Sequence, residues 1–519
     1  MVQKSNQHNP TTQQPNQPTK RRAIIYNSTE LGKVLRMQVS TIQKSKEIDN
    51  NQDDILLEQI ETIDNTLSDH FSELLIVDDS LTRKLVSFQA NKIRTHYRWY
   101  KYKEAFSADL VEYLFSKYNV NKGKILDPFT GAGTSLFACS SLGYDSEGIE
   151  VLPVGQKIIE ANILARGEHK KDIISGLERW LLNKPWNTNG ETKDFEVLRI
   201  TDGAYTKGTH HKIKRYLNDL EYETQELKGI LLFSLLCILE SISYTRKDGQ
   251  YLRWDYRSGR RNGKSTFDKG KILSFDEAID SKLNQIKHDI PLSDTKKDLF
   301  SFMKPDVPTG EVGLLKGSCL DILPKLESNS YSGIITSPPY CNRYDYTRTY
   351  ALEHALLGVK EIELLALRQA MLSCTVENKA KELIGINKEW QAGIEVCDNL
   401  PLLQQILGYL DYKKDKKELN NTGIALMVRG YFYEMACVIQ ECHRVLDKFG
   451  MMFMVNDNVR YAGAAISVDL ILSKIAEDIG FHIDNILVLP QGKGNSSQQM
   501  GKHGREALSK CVYVWRKDK

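Results

Sequence analysis

The chain lacks any long apolar run, carries almost no net charge and has few cysteines and prolines, and each shortage excludes a class of protein. Residues 229–242, among its longest apolar stretches, fall short of the roughly 20 residues that a membrane-spanning helix needs and are bounded by charge, so no transmembrane helix is expected. Lys and Arg total 70 against 67 Asp and Glu, a net charge of +3. That balance argues neither for nor against a polyanionic partner, and any such argument rests on local charge. The nine cysteines form no Cys-x-x-Cys pair and have no nearby histidine at ligand spacing. They read as buried reduced thiols, so neither disulfides nor a metal is expected, and the expected compartment is cytoplasmic. The polar N-terminus has no apolar segment of a secretory signal. With 14 prolines, 41% hydrophobic and 26% charged residues, collagen-like, fibrous and disordered chains are excluded for the bulk of the sequence. A length of 519 residues suits about two to four compact units.

What is present begins with a polar tail, residues 1–24, rich in Gln, Asn, Thr and Pro and too poor in aliphatic residues to fold. Residues 25–85 carry apolar positions at helical spacing, such as Ile55, Leu56, Ile60 and Ile63, and form a helical extension. A β-α-β rhythm occupies 86–164: a short strand at Ile125 and Leu126, a tight turn, a helix over 135–142 and a second strand over 146–150. That order predicts an α/β fold with a mostly parallel sheet. The rhythm breaks over 165–310, resumes over 311–358 with a strand at 331–336, breaks again over 359–421, and ends over 422–519 with two helices and three strands. From Glu150 to Ser318 is 168 residues, far more than a strand connection requires, so a separate inserted domain is expected at 165–310.

Two clusters carry chemistry. In Asp127-Pro128-Phe129-Thr130-Gly131-Ala132-Gly133-Thr134 the glycines let the backbone turn sharply after a strand and approach a ligand at the start of the next helix. No Lys follows the second glycine, so this is not a phosphate-binding P-loop, and the third glycine of the dinucleotide fingerprint is missing. Glu150, 17 positions after Gly133, ends the next strand, where a carboxylate can accept both hydroxyls of a ribose; the alternative is a solvated strand end. The second cluster is Thr336-Ser337-Pro338-Pro339-Tyr340. Two prolines fix φ and remove donors, leaving a rigid loop that presents a hydroxyl, a carbonyl and an aromatic ring at the carboxyl end of a strand.

With both clusters on one β-α chain, the sequence resembles the amino-methyltransferases of DNA. That family carries an Asp-Pro-Phe-x-Gly-x-Gly-Thr cofactor turn and a (Ser/Asp/Asn)-Pro-Pro-Tyr catalytic loop. The resemblance extends to residues 96–106, similar to the segment lining the methionine side of the cofactor, and to 317–323, similar to the element that meets its adenine. Ser318 stands where the family commonly has Asp, which puts that contact in doubt or passes it to the backbone. Residues 431–458 and 495–505 also look like parts of such enzymes. The resemblance implies a Rossmann-like class I methyltransferase fold using S-adenosyl-L-methionine, held by Asp127, Phe129, Gly131, Gly133, Thr134, Glu150 and Ser318. It implies catalysis by Ser337, Pro338, Pro339 and Tyr340 on a base flipped out of double-stranded DNA. Serine at the head of the loop favours N4 of cytosine over N6 of adenine, and a cognate restriction endonuclease is an expected partner. The rival readings are an RNA or tRNA amino-methyltransferase and a DNA-binding subunit of the same fold without catalysis.

Target recognition is expected within 165–310, where residues 245–271 hold nine Lys or Arg against three Asp, interleaved with Tyr251, Trp254 and Tyr256. Arg246, Lys247, Arg253, Arg257, Arg260 and Arg261 are the candidate DNA contacts, with Arg343 beyond the catalytic loop as a phosphate clamp. A solvated basic loop is the alternative, and the insertion at 359–421 is a rival recognition element.

Overall fold

The computed structural model describes residues 52–103, 105–248, 251–260, 266–290, 309–490 and 510–518. The chain divides into two units, residues 1–58 and 59–519. The expected polar tail, residues 25–51 of the helical extension, the 495–505 segment and Arg261 lie outside the described residues. In the first unit, residues 52–58 are helical. The second unit is built on an eight-stranded sheet in the order β1-β11-β12-β8-β7-β2-β3-β6. The strands are β1 (Leu75–Val77), β2 (Lys124–Asp127), β3 (Asp145–Glu150), β6 (Val312–Lys316), β7 (Tyr331–Thr336), β8 (Leu446–Asp457), β11 (Phe481–Val488) and β12 (Lys510–Lys517). Every neighbouring pair is parallel except those of β12, which runs antiparallel between β11 and β8.

The expected α/β sheet is therefore present, and its central strands are apolar in the way a parallel sheet covered on both faces requires. Ile334, Ile335, Phe453 and Val455 are all buried. The helix Ala108–Tyr118 covers one face, with Ser107 accepting the Leu110 N–H at its start and Asn119 ending it in the left-handed region. Phe115 from this helix packs with Ile335, Phe453 and Val514.

Among its described residues, the stretch at 165–310 shows no core separate from that of the second unit. Its helices Lys170–Asn183, Lys207–Asp219, Gln225–Ile242 and Phe275–Asp289 share one apolar core with Trp99, Ile158, Tyr350 and Leu352. A domain needs its own core, and here the apolar faces of the helices complete a core shared with the rest of the second unit. The basic stretch forms a hairpin of β4 (Thr245–Asp248) and β5 (Tyr251–Trp254), paired antiparallel. The remaining pair, β9 (Val459–Tyr461) and β10 (Ala464–Ile466), is also antiparallel.

Candidate active site

Four adjacent parallel strands, β7-β2-β3-β6, deliver their carboxyl ends to one edge of the sheet, the place where open α/β sheets bind ligands. The loops there enclose a cleft of about 760 Å³, open solvent included. Phe129 from the glycine turn and Pro339 from the Ser-Pro-Pro-Tyr loop both line it, although some two hundred positions separate them in the chain. A hydrogen bond fixes this convergence: Thr336 Oγ1 donates to Asp127 Oδ1 at 2.6 Å. Asp127 also accepts from the Phe129 N–H at 3.0 Å and from the Ser135 hydroxyl. Burial holds its pKa up, at about 6, against these three donors. Asp127 lines the cleft but acts first as the clip between turn and loop.

The turn requires its glycines. Gly131 and Gly133 adopt φ of 54° and 77°, the left-handed region that other residues reach at a cost. Gly131 lines the cleft, whereas Gly133 is buried beneath it against Phe137 and Ile159. Thr134 opens the helix Thr134–Ser141 and faces the cleft. Gly155, in the helix Pro153–Arg166, allows that helix to touch both parts of the site. A Cβ there would lie 2.6 Å from the Gly131 carbonyl oxygen and 2.7 Å from Glu150 Cγ.

Glu150 lines the cleft with its carboxyl buried, and Oε1 accepts the Leu152 N–H at 2.7 Å. Burial pushes its pKa up to about 8, opposed by backbone donors from Leu152 and Gly131. Such a buried acid with few partners is suited to receiving further hydrogen-bond donors from a ligand. Ser318 also lines the cleft, and its hydroxyl donates to the Ala370 carbonyl at 2.7 Å. It thereby ties in a wall, Ala370, Met371 and Leu372, which the sequence reading missed because nothing in that tripeptide marks a site. Tyr102, Ala105 and Phe106, from the 96–106 segment, also line it.

The Ser-Pro-Pro-Tyr loop is divided between cleft and interior. Ser337 and Pro339 face the cleft; Pro338 and Tyr340 are buried behind them. The Ser337 hydroxyl has two acceptors, the Tyr340 oxygen at 3.0 Å and the Val455 carbonyl at 3.2 Å. Its proton therefore points into the protein and its lone pairs remain for a donor in the cleft. Lys510 at the start of β12 donates to the Tyr340 oxygen at 3.0 Å and lies 3.3 Å from Asp457. Sequence reasoning did not find Lys510, because it is adjacent to the loop through sheet pairing alone.

The basic residues separate into two groups by strand alternation. On β4 and β5, Thr245, Lys247, Leu252 and Trp254 face inward, while Arg246 is exposed and Arg253 half-buried. Lys247 is corrected by this register. The residue is 5% exposed, and its ammonium meets Glu353 Oε1 at 2.5 Å and the Tyr100 hydroxyl at 3.0 Å, which turns it away from a phosphate at the surface. Arg257 is engaged as well: its guanidinium forms two bonds to the buried Asp255, at 2.6 and 2.9 Å, and one to the Gly270 carbonyl at 2.6 Å. Arg260 lies over the Trp254 ring and donates to the Arg199 carbonyl at 3.0 Å. Arg343 takes a left-handed φ of 66° just past the loop and reaches Asn420 at 3.4 Å.

All nine cysteines are unbridged, eight of them buried. Among the described residues no His, Cys, Asp or Glu group is placed to hold a metal, and no helix is long and apolar enough to cross a membrane.

Comparison with known proteins adds to this geometry. The chain is 54% identical over 469 residues to the type II methyltransferase M.AvaI of a Nostoc strain, a match spanning 90% of this chain and 96% of the relative. The M.AvaI protein of Anabaena variabilis matches to the same extent. The type II methyltransferase M.BsoBI of Geobacillus stearothermophilus is 41% identical over 466 residues, 85% of this chain and 89% of its own length. No protein-family model matches the chain.

Proposed function

Since the chain belongs to the type II DNA methyltransferases of restriction–modification systems, we propose that it methylates the exocyclic amine of a base flipped out of the duplex. S-adenosylmethionine is the proposed donor, and N4 of cytosine is favoured over N6 of adenine. The observation that carries this reading is the single cleft shared by the glycine turn and the Ser337–Pro339 loop.

The cleft fits the donor. Glu150 lines it with an acid suited to ribose hydroxyls, and at Gly131 the turn has no side chain to project against the Tyr102 ring, which also lines the cleft and lies 3.1 Å from where a Cβ would sit. Phe129, Thr134 and Ser318 complete the nucleoside side, with Asp127 and Gly133 shaping the turn. When bound, the donor supplies a methyl group on a positively charged sulfur. The chain's own residues prepare the acceptor. An exocyclic amine is a weak nucleophile because its lone pair is delocalised into the ring. The Ser337 oxygen, with its proton directed inward, accepts one amine N–H, and the Pro338 carbonyl the other, favouring a pyramidal nitrogen. Pro339 holds the loop rigid. Tyr340, for which the resemblance implies stacking on the extruded base, is buried behind the loop and acts here by accepting the Ser337 proton at 3.0 Å. Alignment of donor and acceptor in near-attack geometry supplies up to roughly 7–11 kcal/mol of the acceleration. Serine at position 337 is the basis for preferring cytosine, and a cognate endonuclease would cleave the unmodified site.

Incubation with methyl-labelled donor and duplex DNA, followed by digestion to nucleosides, tests this reading. N4-methylcytosine is the expected product, and N6-methyladenine would support the runner-up target. Label in RNA but not DNA, or in neither, overturns it.

A further inference from the structure

We infer that the β4–β5 hairpin carries a two-arginine clamp, Arg246 and Arg253, that grips the phosphate backbone of the DNA. This deepens the proposed function and rests on it. Arg246 and Arg253 are direct cross-strand partners in the antiparallel register. Like charges placed directly opposite each other on a sheet face destabilise it unless a counter-charge is shared between them. Among the described residues neither guanidinium has a carboxylate within ion-pair distance, whereas neighbouring Arg257 and Lys247 are both neutralised, by Asp255 and Glu353.

One member of the pair is also pre-positioned. Arg253 lies 4.2 Å above the centre of the Phe267 ring, which restricts its side chain before any ligand arrives. Half-buried Lys269 beside the hairpin is already engaged: it donates to the Ser243 carbonyl at 2.8 Å, and burial pushes its pKa down to about 8, opposed by Glu240 and Asp255 and aided by Arg257 and Arg246. Two guanidinium groups paired across the hairpin, one of them held against an aromatic ring and neither with a carboxylate within ion-pair distance among the described residues, form a recognition element for an anionic oxygen pair, for which a DNA phosphate is the matching chemistry.

Position supports the same assignment. The inward face of the hairpin is anchored by the Lys247–Glu353 pair to the segment that follows the catalytic loop. The short helix Tyr346–Thr349 packs against β5, and Tyr346 also lines the cleft. The hairpin is therefore held one short helix away from the cleft, where the backbone flanking an extruded base must be restrained. A two-stranded ribbon is also narrow enough to enter a major groove.

The test uses the full chain and a fluorescently labelled duplex of mixed sequence, because a phosphate contact does not depend on sequence. Each lost phosphate contact lowers the slope of log affinity against log salt by about 0.9. Arg246→Gln with Arg253→Gln should therefore flatten the slope by about 1.8. The affinity deficit of the variant should shrink roughly twelvefold between about 50 and 200 mM salt. The Arg246→Lys, Arg253→Lys variant should retain most of the slope, and affinity for the methyl donor should be unchanged in both. An unchanged slope in the double Gln variant, with wild-type methylation of DNA intact, overturns the clamp alone. Absence of methylation by the wild type overturns the function on which it rests. A fall in donor affinity parallel to the fall in DNA affinity would show a folding defect and also count against the clamp.

Discussion

Replacing Glu150 with Gln should remove the pH dependence that this residue imposes on donor binding. In the free protein burial raises its pKa from 4.5 to about 8, so near neutrality the carboxyl is mostly protonated. A protonated carboxyl donates at one oxygen and cannot accept two ribose hydroxyls, while the carboxylate can. Donor binding therefore favours ionisation and releases a proton below pH 8. If the carboxylate is the binding form, affinity should fall about fiftyfold from pH 8 to pH 6, close to tenfold for each unit at the acidic end. The sign for stability is opposite: because the folded pKa is raised, the stabilisation from keeping this group neutral is complete below about 4.5 and is lost as pH rises through about 8. The ligand's own α-amine titrates in a similar window, near 7.7–8.0, but Glu150→Gln retains that contribution. The assay is calorimetric titration of the donor without DNA, in two buffers of different ionisation enthalpy, across this pH range. The difference between wild-type and variant profiles isolates Glu150. At high pH the variant should bind roughly ten- to a hundredfold more weakly, as expected for loss of a charged acceptor. Superimposable profiles would refute the assignment of Glu150 to the ribose.

The remaining predictions address the other parts of the site. Gly155→Ala puts a Cβ 2.6 Å from the Gly131 carbonyl and 2.7 Å from Glu150, and should cost about 1–3 kcal/mol of stability together with a fall in donor affinity, measured by denaturation and calorimetry. Tyr340→Phe deletes the oxygen that receives Lys510 and Ser337; single-turnover methylation should slow by about tenfold, the equivalent of one hydrogen bond, with donor affinity unchanged. Lys247→Met leaves Glu353 buried without its partner and should destabilise the protein by about 3–5 kcal/mol, seen in the denaturation midpoint. Adding Glu353→Leu should restore much of that loss, and the salt slope of DNA binding should stay that of the wild type.

Legibility in the sequence followed the range of the interactions. The strand-turn-helix at 124–141 and the strand Tyr331–Thr336 were readable because glycine, proline and apolar runs act locally. The short edge strand Leu75–Val77 carries too few residues to signal itself. The helices of 165–310 looked like a domain because the residues that complete their core, Trp99 and Tyr350 among them, are distant in the chain. Lys247 was misassigned by counting charge without applying the two-residue period of a strand, which alone separates it from Arg246 and Arg253. Burial of Tyr340 behind Pro339 and the approach of Lys510 depend on sheet order, which sequence spacing does not carry.

The central claim is that Ser337 presents a lone pair to a DNA base amine in the cleft that also holds the methyl donor. Sequencing of genomic DNA from cells expressing the wild type or Ser337→Ala, by a method that separates N4-methylcytosine, C5-methylcytosine and N6-methyladenine, tests it most directly. The account predicts N4-methylcytosine throughout one short recognition sequence with the wild type, and its near-complete loss with the variant. Modification undiminished in Ser337→Ala, or methylation at cytosine C5, would contradict it.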